Sequence, residues 1–151
     1  MTIVRATPAD VSVLTTIALA AKRHWGYPEK WLEHWREALT IRPEFLASHE
    51  AYVAVREGRS AGFNGFSHQA NRLELLHLWV LPELMGRGIG RALFQQAVTR
   101  AQGLGCREMV IESDPHAEGF YRRMGACRVK SNFYELDGEW RELPVLKLEI
   151  N

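Results

Sequence analysis

The sequence predicts a single α/β (α+β) domain, built on a mixed, mostly antiparallel sheet of six to seven strands with helices on both faces. Strand patterns outnumber helix patterns, and only the middle of the chain alternates strand, helix and strand. No repeat or proline-rich linker divides the 151 residues, of which 46% are hydrophobic. A chain of this size can bury one core, so we place one domain over residues 1–151.

The first third of the chain predicts a short strand and two helices. Residues 3–6 form the strand, and Thr7 followed by Pro8 is typical of a helix start. This helix should run about four turns, to near Lys22, before residues 24–28 interrupt it. A second amphipathic helix is predicted by apolar residues at helical spacing, namely Trp31, Leu32, Trp35 and Leu39.

The middle of the chain predicts a hairpin, a central strand and a long helix. Residues 51–55 and 60–67 flank turn residues, as a hairpin requires. Residues 73–81 are almost continuously apolar, which indicates a strand inside the sheet. The helix that follows carries one apolar face and ends at Gly103 or Gly105. That face consists of Ile89, Leu93, Ala97 and Ala101.

The last third predicts three strands and one short helix. Residues 108–113 form a strand, and Asp114 with Pro115 opens a helix that stops at Gly125. Residues 127–131 and 143–150 form two final strands, joined through the Asp137-Gly138 turn.

Composition excludes several function classes. Nineteen basic and eighteen acidic residues give a net charge of +1. The chain as a whole therefore has no net electrostatic attraction to nucleic acid or to a membrane surface. No apolar run is long enough to span a bilayer, and the start lacks a signal peptide, which predicts a cytoplasmic protein. Cys106 and Cys127 lack metal-site spacing; we expect two buried thiols and no metal.

A glycine-rich loop is the strongest local signal. Gly86, Gly88 and Gly90 alternate between a predicted strand and a predicted helix, where unpaired N–H groups and the helix dipole favour a phosphate. A Walker loop would continue as Gly-Lys-Ser/Thr, but Arg91 and Ala92 follow Gly90. The spacing GxGxG also differs from the Rossmann GxGxxG, which disfavours a nucleotide-binding oxidoreductase.

Two motifs in this order resemble one family. Residues 80–93, VLPELMGRGIGRAL, are similar to the acetyl-CoA loop of the GNAT N-acetyltransferase superfamily, and the strand 74–80 before them is similar too. Residues 114–125, DPHAEGFYRRMG, resemble the family's Asn-x-x-Ala-x-x-Phe/Leu-Tyr helix. Met85 stands where the family commonly has Arg or Gln, and Asp114 where it commonly has Asn.

The resemblance implies an acetyl-CoA-dependent N-acetyltransferase. It would transfer the acetyl group to a primary amine of a small molecule or peptide, by direct attack in a ternary complex, and family members often form homodimers. The cofactor-binding residues that it implies are Leu78, Trp79, Val80, Gly86, Arg87, Gly88, Ile89, Gly90, Arg91, Asp114, Ala117 and Phe120. A non-catalytic acyl-CoA-binding sensor is the alternative; it would keep the loop and lack a working acid.

The chemistry needs an acid for the departing thiolate and a base for the amine. Tyr121 matches the family's proton-donating tyrosine, although it also fits a core aromatic position. Glu74 is the first candidate for the base, because the resemblance places it where some family members carry a glutamate base. Even spacing along a strand would also place it on one face with Leu76, Leu78 and Val80. Glu112 and His77 are the other candidates.

The resemblance implies that the acceptor meets residues from the two N-terminal helices. His24, Trp25 and Tyr27 form a polar and aromatic cluster between these helices, and we predict that they bind the acceptor together with His77. Packing against Trp31 is the alternative explanation of this cluster. The remaining histidines show no ligand spacing and are interpreted as surface or internally bonded residues: His34, His49, His68 and His116.

Overall fold

The computed structural model describes residues 1–151 and places seven strands in one sheet. In chain order they are β1 (Thr2–Arg5), β2 (Glu50–Arg56), β3 (Arg59–Gln69), β4 (Arg72–Val80), β5 (Glu108–Glu112), β6 (Cys127–Leu136) and β7 (Glu139–Glu149). Across the sheet the order is β1-β2-β3-β4-β5-β7-β6. Only β4 and β5 pair in parallel, so the predicted mixed, mostly antiparallel sheet is confirmed.

Five helices cover the two faces of the sheet. They are α1 (Val11–Arg23), α2 (Glu29–Leu39), α3 (Pro43–Ser48), α4 (Ile89–Gly103) and α5 (Glu118–Arg123). One apolar core lies between the sheet and α1, α2 and α3, and the other lies beneath α4 and α5. Helix α3 was not predicted, because six residues are too few to show a helical period.

The local signals at the element ends agree with the structure. The Asp10 carboxylate accepts a hydrogen bond of 2.8 Å from the backbone N–H of Thr7, and Pro8 opens the turn before α1. Helix α4 ends at Gly103, one of the two predicted ends. The turn at Asp137 and Gly138 joins β6 to β7, with positive φ at both residues.

The β6–β7 hairpin is longer than predicted. Pairing continues from Cys127 opposite Lys147 to Leu136 opposite Glu139, beyond the predicted bounds 127–131 and 143–150. The added residues are mostly exposed or polar, so no alternation of buried apolar residues marked them as strand. Cys127 opens this edge strand and is exposed, so the prediction of two buried thiols holds only for Cys106.

A β-bulge changes the face on which Glu74 lies. Gly65 pairs with His77 but Phe66 pairs with Leu75, so β4 carries one extra residue at Leu76. Leu73 and Leu75 before the bulge, and Leu78 and Val80 after it, all pack beneath α4 and α5. Glu74 alternates with Leu73 and Leu75 and therefore faces the other way. The prediction that Glu74 shares a face with Leu78 and Val80 is wrong.

The two parallel strands separate at their carboxyl ends. Strands β4 and β5 pair only from Arg72 opposite Glu108 to Leu75 opposite Ile111. Beyond Leu75, β4 pairs with β3 alone, while the backbone N–H of Ser113 bonds to Pro144 at 2.8 Å on the β7 side. A gap therefore opens where α/β sheets commonly bind ligands.

No helix of this chain combines the length and the apolar character that crossing a membrane requires.

Candidate active site

A cavity of about 450 Å³ occupies the gap between β4 and β5. It has the size of a small-molecule site. The predicted site residues that line it are Trp25, His77, Leu78, Trp79, Val80, Gly86, Gly88, Gly90, Arg91, Glu112, Asp114, Ala117, Phe120 and Tyr121. The fold thus brings the glycine loop, the open part of β4 and the start of α5 to one place.

Five predicted residues lie outside the lining. The Ile89 side chain is only 2% exposed and packs into the core beneath α4, and Arg87 points to solvent. Because its side chain is buried, Ile89 can contribute only backbone groups to a ligand in the cavity. Glu74 lies on the opposite face of β4, and His24 contacts the Trp25 ring edge-on at 5.1 Å. Tyr27 lies behind the cavity wall, bonded to Asp114 at 2.9 Å.

The glycine loop presents a row of free donors. No backbone N–H from Gly86 to Arg91 donates a hydrogen bond within the chain, and the first helical bond joins Ala92 N–H to the Gly88 carbonyl at 3.0 Å. Gly86 and Gly88 have φ values of 77° and 84°, which glycine adopts without strain. The loop therefore suits a diphosphate, and the Arg91 guanidinium at the cavity adds positive charge.

The open part of β4 offers a second kind of contact. From His77 to Val80 its edge toward β5 has no strand partner, yet all four residues line the cavity. Free backbone N–H and C=O groups on such an edge bind an extended ligand as they would bind an added strand.

Tyr121 places an unpaired phenol at the cavity. The residue is 6% exposed, and its ring packs against Phe120 and Phe94 at centroid distances of 5.2 and 6.0 Å. Its hydroxyl has no partner in the chain, yet it is not sealed from solvent, so it opens into the cavity. Burial, with the nearby Asp114 charge, raises the pKa of Tyr121 and keeps the phenol protonated.

The three candidates for the base have different surroundings. Glu112 lines the cavity; its Oε2 accepts hydrogen bonds from Asn132 and Tyr134 at 2.6 and 2.8 Å, and its Oε1 has no partner. His77 also lines the cavity, but its Nδ1 accepts the Trp79 indole N–H at 3.0 Å. Burial, with the His49 charge, lowers the pKa of His77 to about 4.

A neutral His77 that accepts at Nδ1 carries its proton on Nε2. Neither nitrogen can then take a proton from an amine. Because Glu74 lies outside the cavity lining, Glu112 is the one of the three that presents a free acceptor atom there.

Comparison with known families decides the class. The model of the acetyltransferase (GNAT) family matches residues 16–126, about three quarters of the chain. The chain belongs to this family. Its membership confirms the predicted superfamily, the acyltransferase class and acetyl-CoA as the acetyl donor.

Individual relatives agree with this assignment. The chain is 29% identical over 119 residues to the peptidyl-lysine N-acetyltransferase YiaC of Escherichia coli, covering 78% of this chain and 73% of YiaC. The structure of the PaiA N-acetyltransferase of Thermoplasma acidophilum in complex with coenzyme A superposes with a TM-score of 0.78 at 19% identity, over 99% of both chains. The structure of YncA from Salmonella typhimurium with acetyl-CoA superposes with a TM-score of 0.74 at 22% identity. The superposition covers 100% of this chain and 94% of the YncA chain.

Asp114, where this chain departs from the GNAT pattern, is the centre of a buried network. Its Oδ2 accepts from Lys22 Nζ at 2.7 Å and from the Tyr27 hydroxyl at 2.9 Å, and its Oδ1 accepts from the His116 backbone N–H at 2.9 Å. Burial alone would raise the pKa of Asp114, but the Lys22 charge and the hydrogen bonds lower it to about 2. The predicted helix cap is confirmed.

Two cations of this network, Lys22 and Arg141, were not predicted from the sequence. The Lys22 ammonium lies 4.2 Å from the centroid of the Trp35 ring, and Arg141 donates to the Tyr27 hydroxyl at 3.0 Å while stacking over the same aromatic cluster. Lys22 and Asp114 are 92 residues apart, so spacing could not join them. The acidic residue in place of the usual Asn was the one local signal that a cation faced it.

We expect Asp114→Asn to lower the free energy of unfolding by about 3 kcal/mol, because it leaves the buried Lys22 ammonium without its counter-ion. Asparagine keeps the shape and the cap. The folded pKa of Asp114 is below its ordinary 3.8, so the stabilisation is present above that pH and is lost as the pH falls through about 2. Urea unfolding measures the change.

Glu29→Gln is the matched control, because it breaks the exposed Arg23–Glu29 pair. Equal small losses in both variants would contradict a special role for the buried pair.

Proposed function

We propose that this protein transfers an acetyl group from acetyl-CoA to a primary amine of a small molecule or peptide, by direct attack in a ternary complex. One observation carries the proposal: a single cavity combines the unpaired N–H groups of the glycine loop, the free edge of β4 and the unpaired Tyr121 hydroxyl. The name of YiaC, a peptidyl-lysine N-acetyltransferase, supports an amine acceptor.

Acetyl-CoA, when bound, supplies an acetyl thioester. The loop from Gly86 to Arg91 donates its N–H groups to the diphosphate, and the edge from Leu78 to Val80 pairs with the pantetheine arm. Ala117 and Phe120 line the cavity beside Tyr121 and give this part of it an apolar wall. Met85 also lines the cavity, so the loop binds mainly through its backbone.

Two groups of this chain act at the reacting atoms. A backbone N–H of the free β4 edge donates to the thioester oxygen as negative charge develops on it. Tyr121 donates its phenol proton to the departing sulfur, for which its protonated state suits it.

Glu112 attracts the acceptor. Its free Oε1 at the cavity binds the acceptor ammonium, while Asn132 and Tyr134 hold the other oxygen in place. We expect Glu112→Gln to raise the KM for the amine roughly tenfold or more, the effect of losing one charge-assisted bond, with a smaller change in kcat. Steady-state kinetics with the best amine measures both constants.

Glu74→Gln completes this comparison. Because Glu74 lies outside the cavity, we expect the KM and kcat of the Glu74→Gln variant to match those of the parent protein. A loss of kcat in Glu74→Gln would indicate that Glu74 acts as the base, and it would contradict the position of Glu74 outside the cavity.

The function is tested in two steps. Acetyl-CoA and CoA should raise the melting temperature and NAD should not, because the loop spacing suits the first two ligands. A panel of small amines and lysine-containing and N-terminal peptides is then assayed for free CoA release. Binding of acetyl-CoA without turnover on any amine would favour the non-catalytic sensor. A cytoplasmic location remains a prediction from the sequence, and a homodimer remains an expectation from the family resemblance.

A further inference from the structure

His116 is held by Asp114 in an arrangement that the sequence did not suggest. Its Nδ1 lies 2.9 Å from Asp114 Oδ1, and its backbone N–H donates to the same oxygen at 2.9 Å. Its ring stacks on Trp25 with centroids 4.9 Å apart and planes 5° from parallel. The ring is therefore held by one hydrogen bond to Asp114 and one aromatic contact, and it lines the cavity.

The neighbouring groups determine which ring nitrogen carries the proton. Asp114 is ionised and can only accept. The Tyr27 hydroxyl, 3.1 Å from His116 Nδ1, gives its single proton to Asp114 and accepts from Arg141 at 3.0 Å. Nδ1 must then be the donor, so that neutral His116 carries its proton on Nδ1.

His116 Nε2 is left with a free lone pair. It has no partner within the chain, and the side chain is 42% exposed at the cavity. This is the opposite of His77, whose Nδ1 is occupied and whose Nε2 carries the proton. A carboxylate that orients an imidazole and supports its positive form is a recurring arrangement for a general base.

We propose that the Asp114–His116 pair is the general base of the acetyl transfer, with His116 Nε2 taking the proton from the acceptor ammonium. The proposal rests on the proposed function. A neutral imidazole is a stronger base than a carboxylate, so it accepts a proton from an alkylammonium with a smaller uphill step. Glu112 then binds the ammonium, and His116 deprotonates it.

The protons balance over one turnover. His116 Nε2 takes one proton from the ammonium, and the neutral nitrogen forms its bond to the acetyl carbon as the carbon–sulfur bond breaks. Tyr121 gives its proton to sulfur, and the second nitrogen proton, released as the amide forms, restores Tyr121 through solvent. His116 returns its proton to solvent, so each turnover releases one proton with one amide and one CoA thiol.

The tautomer is tested without any ligand. In protein labelled with nitrogen-15, the His116 ring is assigned among the six histidines and its nitrogen shifts are read above pH 7. We expect a protonated, pyrrole-type Nδ1 and an unprotonated, pyridine-type Nε2. The reverse pattern would overturn the proposal, because Nε2 would then have no lone pair to offer.

Kinetics test the role. We expect His116→Ala to lower kcat by about 10²-fold or more, with acetyl-CoA affinity unchanged, and added imidazole to restore part of the rate. His34→Ala is the matched control, since His34 is an exposed histidine of α2 that lies outside the cavity lining. It should keep the parent kcat. If His116 had only a structural role, the His116→Ala variant would have a lower melting temperature, and added imidazole would not raise its kcat.

The two proposals fail differently. If the parent protein releases CoA with an amine and His116→Ala keeps its kcat within about twofold, the base assignment is overturned and the acetyltransferase stands. A kcat loss in Glu112→Gln alone would move the base to Glu112. If the parent protein turns over no amine, the proposed function fails, whatever the His116 tautomer.

Discussion

Tyr121→Phe is expected to lower turnover by about 10²-fold or more, with little change in acetyl-CoA affinity. The substitution keeps the ring that packs against Phe94 and Phe120 and removes only the hydroxyl. Because that hydroxyl has no hydrogen-bond partner in the chain, its loss should leave the melting temperature almost unchanged. Steady-state CoA release and thermal unfolding measure the two effects.

Tyr52→Phe provides the control for Tyr121→Phe. Its hydroxyl donates to Glu50 at 2.9 Å, away from the cavity lining. That variant should lose some stability and no activity, the reverse of the Tyr121 variant. Parent-like turnover in a folded Tyr121→Phe variant would remove the proton donor from the mechanism and leave Tyr121 as a packing residue.

Gly88→Val is expected to weaken acetyl-CoA binding by roughly 10²-fold or more. Gly88 has a φ of 84°, which a β-branched residue does not adopt without strain, so the loop must move and its N–H groups lose their alignment. Apart from adjacent residues, no protein atom lies within 4 Å of a Cβ at this position, and Gly88 lines the cavity, so the added side chain would project into open space there. Losing two charge-assisted hydrogen bonds accounts for the size of the effect. Calorimetry with acetyl-CoA measures it.

Gly58→Val separates strain from binding. Gly58 lies in the turn between β2 and β3 with a φ of 74° and the same open space around its Cβ position. Gly58→Val should lower the free energy of unfolding by an amount similar to that of Gly88→Val, and it should leave the acetyl-CoA affinity at the parent value. Equal affinity in the two variants would mean that the loop does not hold the diphosphate.

Much of the fold was predictable because its signals are local. The start before α1, the glycine loop before α4, the cap at Asp114 and the turn at Asp137 each depend on a few adjacent residues. The elements that were missed or shortened, α3 and the outer hairpin of β6 and β7, have weak apolar patterns; they form because the rest of the domain supports them.

The residues that line the cavity were predicted better than the residues that take or give protons. The order of glycine loop and Tyr121 helix implied the family, and the structure brings both to one cavity. Glu74 was misplaced because one extra residue in β4 reverses the alternation, and a bulge depends on the pairing partner. His116 was passed over because a histidine alone in a sequence shows neither its tautomer nor its contacts.

The sequence by itself determined the fold class and indicated the glycine loop as a candidate phosphate site, since the signals for both are local patterns of residues along the chain. The candidate acid followed from the family that the two motifs resemble. Only the tertiary structure decided which charged groups meet. Lys22, Tyr27 and Arg141 converge on Asp114 and its surroundings from separate elements, and that convergence leaves His116 with a free Nε2 at the cavity. Proton affinity depends on burial and on charges within a few ångströms, and those distances exist only once the chain has folded.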